Sequence, residues 1–158
     1  MKFYTIGVYE STAETFFGKL ADNRIDMFLD IRLRRGVRGA KYAFVNSTRL
    51  QEKLAELEVG YLHIKALAPS KEIRQQQKQA DENNRVLKSQ RDELSECFIE
   101  SYQQEIIKNF DFSELVKELQ KQNARNIVLF CVESRPKACH RSLVGDKLKE
   151  MGYQVAHL

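Results

Sequence analysis

Short apolar runs alternate with helical patterns along this chain, and this alternation constrains its fold more than any other feature. The runs are rich in β-branched and aromatic residues and contain few polar interruptions, which is typical of buried strands. They cover residues 3–6, 25–31, 61–64, 126–130 and 153–157. Between them, apolar residues recur at helical spacing. Such an order favours right-handed crossovers. The sequence therefore predicts a three-layer α/β domain with a mainly parallel five-stranded sheet.

Length and composition narrow the class of protein. The 158 residues are 42% hydrophobic and include nine Phe, so residues 1–158 are expected to form one domain with its own core. Three Cys without disulfide spacing favour a cytoplasmic location, and Cys97 is predicted to be a core residue. No apolar run approaches membrane-spanning length, so no membrane contact is expected. Residues 71–91 are polar and are predicted to form a solvated, mobile helical excursion.

The segment from Cys131 to Ser142 combines two thiols, a carboxylate, an imidazole and a guanidinium directly after the fourth predicted strand. Pro136 is typical of the first position of a helix, so Cys139 is predicted to lie in the first helical turn. Backbone N–H groups there stabilise a thiolate or a bound anion. Either thiol is a candidate nucleophile of a thiol-dependent transferase or hydrolase. The candidate catalytic residues are Cys131, Glu133, Cys139 and His140.

Asp30 and Arg32 close the second predicted strand, and the alternation of strand side chains places both on one side of the sheet. Two interpretations are open, because the pair can be a structural ion pair or can present Arg32 to an anion. The carboxyl ends of parallel strands meet at one edge, where ligands bind. We therefore expect a small anionic ligand or a phosphate-containing substrate, and no cofactor. The candidate anion-binding residues are Asp30, Arg32, Arg141 and Ser142.

A cluster of cations directly after this pair offers an alternative function. Residues 32–41 contain no acidic side chain, and Tyr42 and Phe44 follow them. Cations can track a phosphodiester backbone, and aromatic side chains can stack on bases. A solvated basic loop explains the same pattern, so a nucleic-acid-binding module stays open as an alternative. Its candidate residues are Arg34, Arg35, Arg38 and Lys41.

The Cys131 to Ser142 segment also carries a set of metal ligands as a further alternative. Zinc binds thiolate, imidazole and carboxylate groups in tetrahedral sets. The spacing matches no standard zinc motif, and an electropositive site favours an anion over a cation. The metal site is therefore kept as the alternative to thiol chemistry. Its ligands would be Cys131, Glu133, Cys139 and His140.

Four segments of the chain resemble the domain-of-unknown-function family 488. They are Thr5-Ile6-Gly7, Asp30-Ile31-Arg32, the segment from Leu67 to Glu72, and Cys131-x-Glu133-x-x-Pro136-x-x-Cys139-His140-Arg141. The last is the most specific. The resemblance implies a compact intracellular α/β domain with a site at this signature, and it implies no particular reaction. Family members often carry His and Ser soon after the first segment, where this chain has Val8, Tyr9, Glu10 and Ser11.

A looser similarity links the chain to rhodanese-like sulfurtransferases. They too have an Asp-x-Arg after an early strand, a Cys at the end of a later strand, and an Arg-Ser that opens the next helix. Phe130-Cys131 and Arg141-Ser142 are similar to that arrangement. The loop between them is longer here and contains Pro136 and a second Cys, so it would not form the same cradle. The similarity is an analogy of layout.

Overall fold

A parallel β-sheet lies at the centre of the molecule. The computed structural model describes residues 1–87 and 91–158. Within them, five strands pair in parallel in the order β3-β2-β4-β1-β5. Their bounds are β1 Lys2–Ile6, β2 Met27–Asp30, β3 Gly60–His63, β4 Asn126–Phe130 and β5 Gln154–His157. The predicted parallel five-stranded sheet is confirmed, and the second strand is shorter than predicted.

Helices cover both faces of the sheet and complete three layers. The α-helices of the described residues are α1 Ala13–Asp22, α2 Ser47–Glu56, α3 Lys71–Asn83, α4 Glu96–Tyr102, α5 Phe112–Lys121 and α6 Arg141–Glu150. Alternating strand residues separate two cores: Tyr4 packs with α1 and α2, whereas Phe3 packs with α3 to α6. The fold class is therefore the predicted one. In the part of the chain that the structure describes, no helix is long and apolar enough to cross a membrane.

Local sequence explains where the helices begin and which faces they bury. Thr12 caps α1, since its side chain accepts from the backbone N–H of Thr15 and completes a capping box. In α4, Phe98 and Tyr102 face the core. Cys97 is exposed, so its predicted place in the core was wrong. A helix of seven residues presents only one face to the sheet, and the larger aromatic side chains occupy it.

The polar stretch at 71–91 contains α3, which buries little apolar surface. Ser70 caps this helix by accepting from the N–H of Ile73. Ile73 and Gln77 are the residues that α3 buries. The predicted helix is confirmed over Lys71–Asn83, residues 88–90 lie outside the described residues, and the expected mobility stays a prediction.

The order of the strands creates a crevice at the carboxyl edge of the sheet. The chain leaves β1 through α1 and reaches β2, whereas it leaves β4 through α6 and reaches β5 in the opposite direction. Parallel sheets bind ligands where the direction of winding changes in this way. Pairing continues past the strand ends, since Val8 N–H donates to the Val132 carbonyl at 3.1 Å and Ile31 N–H to the Phe130 carbonyl at 3.2 Å. The segments after β1, β2 and β4 are therefore held side by side.

Candidate functional site

The loop between β4 and α6 differs from its predicted form. Pro136 opens a short 3-10 turn over Pro136–Ala138, Cys139 is extended, and α6 begins at Arg141. The prediction that Cys139 lies in the first turn of a helix was wrong. The reason is burial, because the four consecutive residues from Ala138 to Arg141 are each at most 6% exposed. A continuous surface helix would bury only one face and could not enclose all four side chains.

The extended residue brings both thiols of the loop to one imidazole. The Sγ atoms of Cys131 and Cys139 each lie 3.8 Å from Nδ1 of His140. The other ring nitrogen, Nε2, lies 3.2 Å from the carbonyl oxygen of Ile31. A carbonyl oxygen only accepts, so Nε2 carries a hydrogen and Nδ1 is the ring nitrogen that faces the two sulfurs. We call these three side chains the thiol–imidazole cluster.

The two thiols of the cluster differ in acidity. Burial alone raises the pKa of Cys139, but its hydrogen bond with Cys131 and the neighbouring His140 bring that pKa, on balance, well below the usual value. The same hydrogen bond, burial and the charge on Cys139 raise the pKa of Cys131 well above normal. Burial also raises the pKa of Tyr102, whose ring centroid lies 5.5 Å from that of His140. Of the two thiols, Cys139 therefore loses its proton more readily than Cys131.

Arg32 is buried beside the cluster and is held by a carboxylate. Its Nε and Nη2 donate to the two oxygens of Asp30 at 2.8 and 2.7 Å, and Nη2 also donates to the carbonyl of Val45 at 3.0 Å. The guanidinium carbon lies 4.5 Å from the centroid of the Phe130 ring. Tyr61 donates a further hydrogen bond to Asp30 at 3.0 Å. Nη1 of Arg32 has no acceptor among the residues described.

Arg141 and Ser142 use their polar groups on the backbone of the loop. The Arg141 guanidinium donates to the carbonyls of Glu133 and, at 2.8 Å, of Ser134. The Ser142 hydroxyl donates to the Cys139 carbonyl at 2.9 Å. Arg141 is only 1% exposed. The donors of these two residues therefore fix the loop that carries the thiols, and their contact with an anion stays a prediction.

Gly7 allows the loop to approach the end of β1. A Cβ atom built on Gly7 would lie 1.9 Å from the carbonyl oxygen of Glu133 and 3.2 Å from Nη1 of Arg141. Real Cβ atoms do not come this close to backbone atoms, so a larger residue would displace the loop. The Thr-Ile-Gly segment therefore has a steric purpose at this position.

A cavity of about 690 Å³ opens above the cluster and Arg32. We call the buried residues at its base the cavity floor: Arg32, Cys131, Cys139 and His140. We call the exposed cations around its mouth the cavity rim: Arg34, Arg38, Arg74 and Lys78. With Arg91, the described lining residues carry six cations against two carboxylates. This excess of four positive charges makes the cavity attractive to anions.

Sequence reasoning missed the wall that α3 and Arg91 contribute. Arg91 donates to Asp81 at 2.8 Å and to the carbonyl of Ala138 at 3.0 Å, so it ties α3 to the thiol loop. Its Nη2 also lies 3.9 Å from the carboxylate of Glu133. The structure thus places Glu133 with Arg91, and the cluster of metal-binding type in the described residues does not include Glu133. The i, i+3, i+4, i+7 spacing of Arg74, Gln77, Lys78 and Asp81 is a signal that could have predicted a shared face.

The basic loop contributes only part of its charge to the cavity. All four predicted cations are exposed, but only Arg34 and Arg38 line the cavity, whereas Arg35 and Lys41 do not. Tyr42 lines it together with Tyr9, and the centroids of the two rings are 5.2 Å apart. Phe44, the second aromatic side chain predicted to stack, packs instead against the core rings of Phe16 and Phe17.

Comparison with known proteins identifies the family of the chain. A family model described as a domain of unknown function, DUF488, matches residues 12–148. The match includes the whole signature from Cys131 to Arg141 and begins after the Thr-Ile-Gly segment of β1. Comparisons with curated proteins and with solved structures returned no match. Because the matched region covers most of the chain, the protein belongs to the DUF488 family.

Proposed function

We propose that the protein binds a small phosphate-bearing molecule in the cavity and acts on it with the thiols of the cavity floor. The observation that carries the proposal is the state of Arg32. This side chain is 4% exposed, lines the cavity and keeps Nη1 without an acceptor among the described residues. A buried N–H without a partner is costly, and a ligand oxygen would satisfy it. Arginine suits phosphate because its planar fork offers several donors.

The surrounding charges support an anionic ligand. Asp30 offsets the charge of Arg32. Arg32 would therefore orient a bound anion through its hydrogen bond more than attract it through its charge. The attraction comes from the cavity rim, where four exposed cations surround the mouth. Charges of one sign around a concave site raise the local concentration of the opposite ion. The cavity therefore combines a basic entrance with a fixed donor, Nη1 of Arg32, at its base.

The chemistry follows from the thiol–imidazole cluster, whose three residues line the same cavity as Arg32. A sulfur of Cys139 or Cys131 would attack an electrophilic phosphorus or carbon of the ligand and form a covalent bond to it. Nδ1 of His140, 3.8 Å from both sulfurs, is placed to receive the thiol proton and to return it to the leaving oxygen. Water or a second acceptor would then release the bound group. This sequence of bonds defines a thiol-dependent hydrolase or transferase.

Binding of inorganic phosphate to Arg32→Lys tests the ligand site. Lysine keeps the charge but lacks the planar fork, so we expect affinity measured by isothermal titration calorimetry to fall by about tenfold. Arg49→Lys is the matched control, because Arg49 is exposed on α2 and does not line the cavity. If Arg32→Lys does not fold, Arg38→Gln replaces it, with a smaller loss expected. Equal affinities in the wild type and both cavity variants would contradict the proposal.

Alkylation of metal-free protein tests the thiol chemistry. Cys97 is exposed and serves as the internal reference thiol. We expect iodoacetamide to label Cys139 faster than Cys97 near neutral pH, because the thiolate reacts and the thiol does not. Saturating phosphate should slow labelling of Cys139 only. Labelling of Cys97 alone, mapped by mass spectrometry, would remove the nucleophile from the proposal.

A nucleic-acid-binding module is the second candidate, favoured by the exposure of all four candidate cations of the basic loop. A strand tracking this loop would contact all four cations, whereas a small ligand in the cavity would contact only Arg34 and Arg38. Substituting each cation by Gln separates the two, with Arg35 and Lys41 as the diagnostic positions. Equal losses at all four, together with binding that weakens steeply with salt, would favour nucleic acid. No retardation of nucleic acid at low salt would exclude it.

A further inference from the structure

The thiol–imidazole cluster is also arranged as a set of metal ligands, and we infer that it binds a zinc ion. Its three donor atoms all lie within 4.8 Å of one another. Zinc holds sulfur at about 2.3 Å and nitrogen at about 2.0–2.1 Å in tetrahedral geometry, which places sulfur and nitrogen about 3.6 Å apart. The observed separations of 3.8 Å from each Sγ to Nδ1 of His140 are close to this value. Both sulfur–nitrogen separations are therefore close to those of a zinc site.

The surroundings of His140 support a ligand role. Metal-binding imidazoles usually donate their second N–H to a carbonyl or a carboxylate, which fixes the ring and the tautomer. His140 does this through Nε2, 3.2 Å from the Ile31 carbonyl, and leaves Nδ1 facing the sulfurs. The ring also lies 5.5 Å from Tyr102, which is completely buried. The imidazole is thus oriented before any ion arrives.

The positive cavity does not oppose a cation at this point. Two thiolates carry as much negative charge as a zinc ion carries positive charge. Of the nearby guanidinium groups, Arg32 is paired with Asp30, and Arg141 is directed to backbone carbonyls. Sulfur and imidazole donors select zinc and other soft ions over magnesium and calcium. The donor set therefore points to a transition metal.

A three-residue set leaves a fourth position on the ion. Zinc sites with four protein ligands are structural, whereas sites with three keep a position for water or substrate. All three ligands line the cavity, so this position would be open to its contents. In the loaded protein the sulfurs are ligands and no longer nucleophiles, and the ion would polarise the bound molecule. The metal content of the protein would then determine whether the cavity floor supports thiol chemistry or metal-assisted chemistry.

Metal analysis of protein purified without chelator tests the inference. We expect about one zinc ion per chain, and a loss of that ion in Cys131→Ser, Cys139→Ser and His140→Gln. Cys97→Ser is the control and should keep the ion. If the cluster variants do not fold, cobalt substitution of the wild type gives an independent readout, since tetrahedral thiolate-bound cobalt has intense visible and charge-transfer bands.

The outcomes also separate this inference from the proposed function. The metal site rests on the cluster alone, so Arg32→Lys should lose phosphate affinity and keep its zinc. Protein that holds no zinc after addition of excess ion, or that keeps it in both cysteine variants, overturns the metal site. Phosphate binding should remain intact in protein that has lost the metal site. If instead the protein keeps zinc but does not bind phosphate, only the ligand site is overturned.

Discussion

The cavity floor and the cavity rim both carry arginine, but in very different surroundings. On the floor, Arg32 is fixed by Asp30 and His140 by a backbone carbonyl, and all are buried. On the rim, cations such as Arg38 and Lys78 are exposed to solvent. The difference indicates that floor residues determine the geometry of the site and the stability of the fold. Rim residues determine how strongly the cavity attracts anions. Substitutions ordered by expected effect test this division.

Breaking the buried ion pair should have the largest effect. Asp30→Asn leaves the Arg32 guanidinium buried without its carboxylate, so we expect the free energy of unfolding to fall by about 4 kcal/mol. The matched control is Asp146→Asn, which removes an exposed pair with Lys149 and should cost less than about 1 kcal/mol. Urea denaturation followed by circular dichroism measures both. Similar losses in the two variants would show that the buried pair contributes no more to stability than an exposed pair.

Adding a methyl group at Gly7, directly after β1, should have the next largest effect on stability. In Gly7→Ala the new Cβ meets the Glu133 carbonyl, and we expect a loss of about 3 kcal/mol in the free energy of unfolding. Gly18 of α1 is the control, because a Cβ there meets nothing within 4 Å in the described structure. Gly18→Ala should stabilise the protein by about 0.5–1 kcal/mol. A neutral Gly7→Ala would contradict the close approach.

The hydroxyl of Tyr61, a partly exposed residue, donates a hydrogen bond to the Asp30 carboxylate. Tyr61→Phe removes the hydrogen bond to Asp30 and should cost about 1 kcal/mol at neutral pH. Burial, followed by the charge of Asp30, raises the pKa of Tyr61 to about 12.

The sign of the pH dependence follows from this shift. The folded protein holds the Tyr61 proton more tightly than the unfolded chain, whose tyrosine pKa is about 10. The contribution is therefore complete below about pH 10 and is lost as the pH rises through 12. Stability measured by urea denaturation should fall more between pH 9 and 12 in the wild type than in Tyr61→Phe. Parallel losses would contradict the assignment.

The rim should show the smallest effect on stability. Arg38→Gln is expected to change the free energy of unfolding by less than about 0.5 kcal/mol, because the side chain is exposed. Its phosphate affinity should nevertheless fall, and the remaining affinity should depend less on salt. Lys41→Gln, which lies outside the cavity, should change neither. A large loss of stability in Arg38→Gln would mean that the rim is structural.

The sequence predicted the sheet well because its signals are local. Apolar runs and helical spacing set the order of the elements, and parallel pairing then brings Arg32 near Cys131 at one edge. The wall around Arg91 was missed because its link to the thiol loop joins Arg91 to Ala138, 47 residues further along the chain. The partners of Arg141 were also missed, because no sequence pattern indicates that a guanidinium donates to backbone carbonyls. Cys139 was wrongly predicted to be helical because burial overrode local preference.

The central position of β4 affects how the protein is made. β4 pairs with both β1 and β2, yet β2 ends at Asp30 and β4 begins at Asn126. Pairings between such distant segments form late, since a long stretch of chain must be ordered first. During synthesis on the ribosome the Ile31 carbonyl is therefore present long before its imidazole partner. The two sulfurs of the thiol–imidazole cluster reach their enclosed environment only when the last central strand enters the sheet, so the growing chain does not yet contain the completed cluster.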